Sequence, residues 1–363
     1  AVDIVEEMPA GVVKRILKHA DPDTRKSINE ILKYPEDSAG ALMTTEFVDL
    51  KRDMTVEDAL KRIRRTGTDK ETINVCYVVD PARKLLGIVS LRTILLSDED
   101  DIIEDIMETH VISVGTLEDK EDVAQTFSKY DFIALPVVDK EDRLVGIITV
   151  DDAMDVMEAE ATEDMEKMAA ITPTDKPYLK TGVVSTFKAR IPWLLLLMVS
   201  ATFTGLIIAN FENSLAVLPV LTAYIPMLMD TGGNCGSQSS VTVIRAISLS
   251  EVDFSDIFRI IWKELRVALL CGVVLAVANF GKMMLVDRLL LGNTSLSPMV
   301  AAVVCGTLVC TIACAKFVGC SLPLLAKKIG LDPAVMASPF ITTIVDALSL
   351  LIYFAFAKSL LGV

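Results

Sequence analysis

The residues of this chain that could do chemistry sit where lipid would be expected. Gly232-Gly233-Asn234-Cys235-Gly236-Ser237-Gln238 lies inside an apolar stretch from about Leu215 to Ile247, and Thr342, Thr343 and Asp346 interrupt another from Ala334 to Leu361. Hydrocarbon cannot satisfy free N–H and C=O groups, so loosened, glycine-rich polar backbone at that depth has to line a cavity or water. A carboxylate near the middle of a spanning helix costs at least about 3 kcal/mol, which makes it a functional candidate by default. Carboxylate, carbonyl and hydroxyl oxygens are ligands of hard cations. The pattern points to a path for cations through a membrane.

Two modules are needed to position such residues. The chain has 363 residues, 52% of them hydrophobic, yet a net charge of −14. Residues 1–190 hold 40 acidic and 25 basic side chains, net −15, whereas residues 191–363 hold 9 and 10, net +1. The acidity belongs to a soluble half, the apolar half is nearly neutral, and each is large enough for its own core. The acidic balance offers nothing to nucleic acid. Ala1–Ala10 has neither a basic start nor an apolar run, so no secretory signal is expected and an internal segment directs insertion.

Of the seven cysteines, five follow Cys235, none forms a CxxC pair, and Cys310 and Cys314 share a helix face. They read as small reduced residues that help helices pack, with a metal role as the alternative. His19 and His110 are the two histidines, and no nucleophile–base spacing can be named, so an enzyme is not expected. No P-loop is present.

Residues 1–38 read as helices turning at Asp21-Pro22 and Tyr34-Pro35, the end of a larger helical domain. An internal repeat follows. Met43, Val48 and Thr55-Val56-Glu57-Asp58-Ala59 match Met107, Ile112 and Asp119-Lys120-Glu121-Asp122-Val123 at an offset of 64. Val78-Val79-Asp80 and Leu86-Gly87-Ile88-Val89-Ser90 match Val137-Val138-Asp139 and Val145-Gly146-Ile147-Ile148-Thr149 at an offset of 59, which places a surface-loop insertion near Gly67–Glu71. Each copy reads strand, helix, strand, turn, strand, helix, and resembles the CBS repeat, which packs as an intramolecular pair.

One acidic helix is expected from Asp151 to Met168, ended by Pro173 and Pro177. Lys180, Lys188 and Arg190 then form a basic approach to a membrane. Five spans fit the apolar windows, at about 191–211, 216–247 with a polar break, 264–286, 298–325 and 334–361. Arg245, Arg259, Lys263 and Arg266, and then Lys327 and Lys328, fall in loops on the side of the soluble half, so the positive-inside rule puts that half in the cytoplasm and the C-terminus outside. Arg245 itself reads as an interfacial anchor. Lys316, inside the fourth span, has no place in this scheme.

Three separated blocks carry a more specific resemblance: Glu160-Ala161-Thr162-Glu163-Asp164; Thr231 to Gln238; and Leu331-Asp332-Pro333 leading to Phe340-Ile341-Thr342-Thr343-Ile344-Val345-Asp346. With the CBS pair, residues 36–362 resemble the MgtE-type magnesium transporter family. The resemblance implies a homodimer in the plasma (inner) membrane, each subunit pairing an α/β CBS-domain pair with an all-α membrane domain of five transmembrane helices. The implied domains are 1–38, a remnant of an N-terminal helical domain; 39–98 and 99–155, the CBS repeats; 156–190, a connecting plug helix; and 191–363, the membrane domain. The implied pore lies on the dimer axis between the second and fifth membrane helices, gated by intracellular Mg²⁺.

Under that resemblance Asp346 is the ion-selecting residue, about 18 Å along its helix from Ala334 and close to mid-bilayer. Thr342, Gly233, Asn234, Gln238 and Asp230 complete the expected pathway. Mg²⁺ dehydrates reluctantly, so two Asp346 carboxylates across a dyad would hold it through its waters. Two alternatives stand beside this: Asp346 pairs with a lysine such as Lys316, and the glycines serve close helix packing. Oxygen ligands alone do not rank Mg²⁺ against Mn²⁺, Co²⁺ or Ca²⁺.

From Asp98 to Glu166 there are 23 acidic residues against 4 basic ones. Like charges three or four residues apart on a helix repel, and divalent ions bound between them would relieve that. The resemblance assigns Asp119, Glu121, Asp131, Asp152, Asp155, Glu160, Glu163, Asp164 and Asp332 as regulatory Mg²⁺ ligands, with a solvated acidic face as the alternative. For ATP, Asp152 closes the run Gly146-Ile147-Ile148-Thr149-Val150-Asp151-Asp152, whereas the first copy has Thr93 in the acidic place, leaving nucleotide binding open. A membrane-anchored nucleotide sensor is the competing function.

Overall fold

The computed structural model describes residues 33–174, 176–336 and 338–362, without the side chains of residues 213, 214 and 338. The helical reading of residues 1–38 therefore lies outside the described residues, except for its last few. The chain divides into two compact units, Ala1–Glu160 and Ala161–Val363.

In the first unit each repeat builds a three-stranded sheet. Strands β1 (Val48–Leu50), β2 (Val75–Val79) and β3 (Leu85–Ser90) enclose helix α2 (Val56–Thr66), which follows a four-residue helix, α1 (Ala39–Leu42). After α3 (Leu91–Leu96) and α4 (Ile103–Ile106), the second copy repeats the plan: β4 (Val114–Gly115), α5 (Lys120–Tyr130), β5 (Ala134–Val138) and β6 (Leu144–Thr149). In each sheet the first pair is parallel and the second antiparallel. The middle strands, Val-Cys-Tyr-Val-Val and Ala-Leu-Pro-Val-Val, are buried almost throughout, as short β-branched runs covered on both faces should be.

The helices start where capping chemistry allows. Thr55 accepts a hydrogen bond from Asp58 N at the start of α2, with Glu57 and Asp58 in the first turn and Arg64 and Arg65 in the last. Asp119, its match, accepts from Glu121 N at 2.9 Å to start α5. The change of offset is a 3₁₀ turn at Gly67–Asp69 in the first copy; in the second, α5 ends on left-handed Asp131 and reaches β5 three residues later.

The copies exchange their lead-ins. Ala39 and Met43 pack in the core of the second copy with Val123, Phe127 and Leu135, while Ile103 and Ile106 pack in that of the first. Thr44 and Ile147 exchange both backbone hydrogen bonds (2.8 and 2.9 Å), as do Ile88 and Glu108 (3.0 and 2.8 Å). A Cβ on Gly87 would stand 2.8 Å from Glu108 O, and one on Gly146 2.8 Å from Thr44 O. The repeated glycine is thus set by the close passage of backbone from the other copy.

The second unit is helical. It takes in the end of α6 (Val150–Met168), then α7 (Val183–Asn210), α8 (Glu212–Val217), α9 (Ile225–Ser248), α10 (Ile257–Lys282) with a π-helical extension at Met283–Leu290, α11 (Pro298–Lys328) and α12 (Ser338–Leu361). Helix α11 is the centre, packed against α9, α10 and α12. Among the described residues, four stretches are long and apolar enough to cross a membrane: Val183–Asn210, Phe254–Leu290, Pro298–Lys328 and Pro333–Leu361. The fifth expected span, α9, is a helix of 24 residues, but Asp230, Asn234, Gln238 and Arg245 interrupt its apolar character.

One expectation is corrected. Gly232–Gln238 is not loosened backbone but uninterrupted α-helix. The irregular backbone lies earlier, in the 3₁₀ turn Pro219–Tyr224, anchored where Tyr353 Oη donates to Leu221 O at 3.0 Å.

Candidate ion pathway and regulatory site

Helix α9 has two chemically different faces. Gly232, Gly233, Gly236, Ser239 and Ser240 are buried, whereas Asp230, Asn234 and Gln238 are exposed at four-residue spacing. That spacing places the last three on one face. The buried face packs tightly. A Cβ on Gly232 would meet Thr311 Cγ2 at 2.7 Å, one on Gly233 would meet Thr342 Cγ2 at 3.0 Å, and one on Gly319 would overlap Gly236 O. The glycines are therefore packing residues that bring α9, α11 and α12 into close contact. Gly233, expected on the pathway, lies on the packed side; the polar stripe beside it faces outward.

Asp346 on α12 is half-buried, and the exposed Asp230 carboxylate on α9 lies close enough to interact with it electrostatically. Thr342 and Thr343 both donate to Pro339 O, at 2.9 and 3.1 Å. Their hydroxyl hydrogens are thus directed into the helix, leaving lone pairs free to accept from water. The lysine alternative for Asp346 is answered by Lys316. Its Nζ stands 3.2 Å from Glu264 Oε2 on α10 and 3.0 Å from Ser239 Oγ on α9, and Ser239 Oγ donates to Glu264 Oε2 at 2.6 Å. Lys316 pairs with a glutamate, and its unexplained charge has a partner. The signal missed in the sequence was Glu264, a lone acid at the head of the third apolar window.

The end of α6 is held at a second constellation. Asp164 accepts from Ser248 Oγ at 3.0 Å, and Met168 packs with Ile244 and Ala334. Lys167 Nζ lies 2.6 Å from Asp332 Oδ2 and pairs also with Glu163. Asp332 Oδ1 accepts from Ala334 N at 2.8 Å, starting the 3₁₀ turn Pro333–Met336 that precedes α12. Burial raises the Asp164 carboxyl above its usual range, opposed by the Ser248 hydrogen bond and reinforced by Asp332. Burial works against the charge of Lys167, but hydrogen bonds to Asp332 and Glu163 together hold its ammonium above the usual lysine range. Lys167 was not singled out in the sequence. It is the only basic residue between Arg143 and Lys176, four residues after Glu163, which was the available signal.

The remaining acidic candidates belong to the first unit and do not converge. Asp119 caps α5; Glu121 accepts from Gln125 Nε2 at 3.3 Å; Asp131 ends α5 at φ 53°. Asp155 is exposed, and Glu160 meets Lys120 Nζ at 3.5 Å. Asp152 accepts from Thr149 Oγ1 at 2.7 Å, and burial raises its carboxyl above the usual range. Among the described residues of a single chain, no three His, Cys, Asp or Glu side chains are grouped so as to hold a metal ion.

The first unit also holds a cavity of about 390 Å³, lined among others by Tyr77, Ile88, His110, Tyr130, Asp131 and Phe132. Among the described residues the Tyr77 hydroxyl is buried without a hydrogen-bond partner. Asp152 is not on the cavity wall.

Comparison with known proteins bears on these features. The family described as divalent cation transporter matches residues 225–356, the MgtE intracellular N domain matches residues 1–37, and the CBS domain matches residues 39–99 and 103–159. The magnesium transporter MgtE of Thermus thermophilus is 39% identical over 361 residues, covering 99% of this chain and 78% of its own. That of Bacillus subtilis is 36% identical over 343 residues, covering 94% and 74%. A solved cytosolic domain of the Mg²⁺ channel MgtE, in complex with ATP, is 43% identical over 43% of this chain and 64% of that one, with a TM-score of 0.42. These relatives are named as magnesium transporters or a Mg²⁺ channel, not as enzymes. This chain belongs to the MgtE family of magnesium transporters.

Proposed function

We propose that the chain works as a homodimer that admits Mg²⁺ down its electrochemical gradient and closes when cytosolic Mg²⁺ rises. The observation that carries this reading is the outward stripe Asp230, Asn234 and Gln238 on α9, with half-buried Asp346 near its first member. Polar side chains facing out of an apolar bundle need water or a second copy against them. A second copy on a dyad would turn two such stripes into one oxygen-lined path. Asp346 and Asp230 attract the cation, Asn234, Gln238 and Thr342 accept from its waters, and Gly233 allows α9 and α12 to approach. Mn²⁺, Co²⁺ and Ca²⁺ are competing ions for such a path.

In this reading α9 is a fifth membrane helix beside the four apolar ones, the first unit is cytoplasmic and the C-terminus faces out. A membrane potential of about 100 mV drives a divalent ion by roughly twice 2.3 kcal/mol, so no ATPase is required. Regulatory ions bind between carboxylates of two copies. The ligands are drawn from Asp119, Glu121, Asp131, Asp152, Asp155, Glu160, Glu163, Asp164 and Asp332, with residues 156–190 as the moving plug. ATP is a candidate modulator only, with Thr93 in the acidic place of the first copy standing against it. Its base would suit the aromatic cavity at Tyr130 and Phe132, while Asp152, engaged with Thr149, is the other candidate contact.

The experiment is Mg²⁺ flux into proteoliposomes with competing divalent ions, with and without Mg²⁺ on the sensor side. Asp346→Ala should abolish flux while leaving the folded protein intact. Unchanged uptake by that variant would remove Asp346 from the path.

A further inference from the structure

Three carboxylates and one ammonium meet where the end of α6 reaches the start of α12. Glu163 and Asp164 come from α6, Asp332 from the residue before the 3₁₀ turn, and Lys167 from α6 itself. Asp332 divides its two oxygens: Oδ1 takes the Ala334 backbone N–H at 2.8 Å, and Oδ2 takes Lys167 Nζ at 2.6 Å. Three kinds of contact fix this turn of α6. Met168 packs against Ile244 and Ala334, Asp164 accepts from Ser248 Oγ, and Lys167 bridges Glu163 to Asp332.

The ionic contact decides whether the others can hold. With Lys167 charged the group carries a net −2; without it three carboxylates would face one another at −3. Like charges this close favour separation, and the half-buried setting screens them less than open water would. Lys167 stands one turn from Glu163, so α6 carries its own counter-charge whenever it docks.

We propose that Lys167 is the positioning residue that docks the end of α6 onto Asp332, a tethered cation that holds this contact without any divalent ion. A divalent ion then adds to a helix already in place, answering the remaining −2. The inference rests on the proposed transport reading only for its consequence, that the ions which close the pathway act on a plug whose end is already held; the docking is measured apart from flux.

The test is hydrogen exchange of the full chain in nanodiscs with EDTA, read by mass spectrometry over residues 163–168. Lys167→Ala should speed exchange there about tenfold, the loss of a hydrogen bond between charged groups. Lys167→Arg should restore protection, Asp332→Asn should lose protection by less than Lys167→Ala because it also removes a negative charge, and Asp332→Asn added to Lys167→Ala should cost nothing further. Millimolar Mg²⁺ should slow exchange in Lys167→Ala far more than in the parent. Peptides from α11 should exchange alike in all variants, which separates loss of docking from loss of fold. A parent as unprotected in EDTA as Lys167→Ala, or a failure of Lys167→Arg to restore protection, would overturn the proposal. Loss of flux in Asp346→Ala would stand unaffected by that outcome.

Discussion

Lys316 and Glu264 form an ion pair inside the helical unit, Nζ to Oε2 at 3.2 Å, with side chains only 6% and 13% exposed. Ser239 completes the group by accepting from the lysine and donating to the carboxylate. The pair joins the faces of α9, α10 and α11 one turn from the place where Gly236 meets Gly319. Removing one partner leaves a buried charge uncompensated, at a cost of about 3–5 kcal/mol. Lys316→Met and Glu264→Gln should each lower the thermal midpoint in detergent sharply, and the double variant should recover much of the loss. Additive losses in the double variant would show that the two charges are not coupled.

The crossing of α9 and α11 predicts intolerance of a single methyl. A Cβ on Gly319 overlaps the Gly236 carbonyl, a backbone atom that cannot swing aside as a side-chain end would. Overpacking of this kind costs about 1–3 kcal/mol or more. Gly319→Ala should fall in or above that range. Gly205→Ala, whose Cβ meets nothing within 4 Å, is the matched control and should not destabilise in the same unfolding assay.

Tyr77 presents the opposite case. Its hydroxyl is buried with no partner among the described residues, and it lines the cavity of the first unit. Deleting an unpaired buried polar atom removes a desolvation penalty of about 1–3 kcal/mol. Tyr77→Phe should therefore raise the melting temperature of the nucleotide-free protein. If the cavity takes an adenine nucleotide through this hydroxyl, the same variant should bind it more weakly by calorimetry.

The docking of α6 has a defined pH profile. Lys167 is held above its ordinary value of 10.5, so its contribution is fully present below 10.5 and is lost only as pH rises through the higher docked value. Asp164 is raised above 3.8 by burial, so its protonated form favours the docked helix and its contribution is lost as pH rises through the docked value. Protection of residues 163–168, corrected for the intrinsic exchange rate, should stay flat from about pH 7 to about pH 9. A decline within that neutral to mildly alkaline window would contradict the assignment of Lys167 as the charge that holds the contact.

The repeat shows how far sequence alone could go. Gly87 and Gly146, Met43 and Met107, and Thr55 and Asp119 were visible as matches, because each copy needs the same turn, the same packing and the same helix start. The exchange of lead-ins was not visible. A constant offset says that two segments are alike, not that Ala39 is housed with Val123 or Ile103 with Ile94. The glycine-rich run taught a similar lesson. Its composition admitted either loosened backbone or close packing, and the helix passing undisturbed through Gly232–Gln238 assigns the glycines to packing and the amide side chains to the open face.

What the sequence determined by itself was chemistry and order: an acidic soluble half built on a repeat, an apolar half with carboxylates at depth, and three motif blocks spaced as in one family. Those are properties of residue types along a line, and periodicity transmits them. Only the tertiary structure decided partners. Lys316 found Glu264 rather than Asp346, Lys167 found Asp332 across more than 160 residues of chain, and the two faces of α9 separated glycine from amide. The physical reason is that the strength of a charge pair or a close helix crossing is set by distance and burial in space, and neither is encoded in separation along the chain.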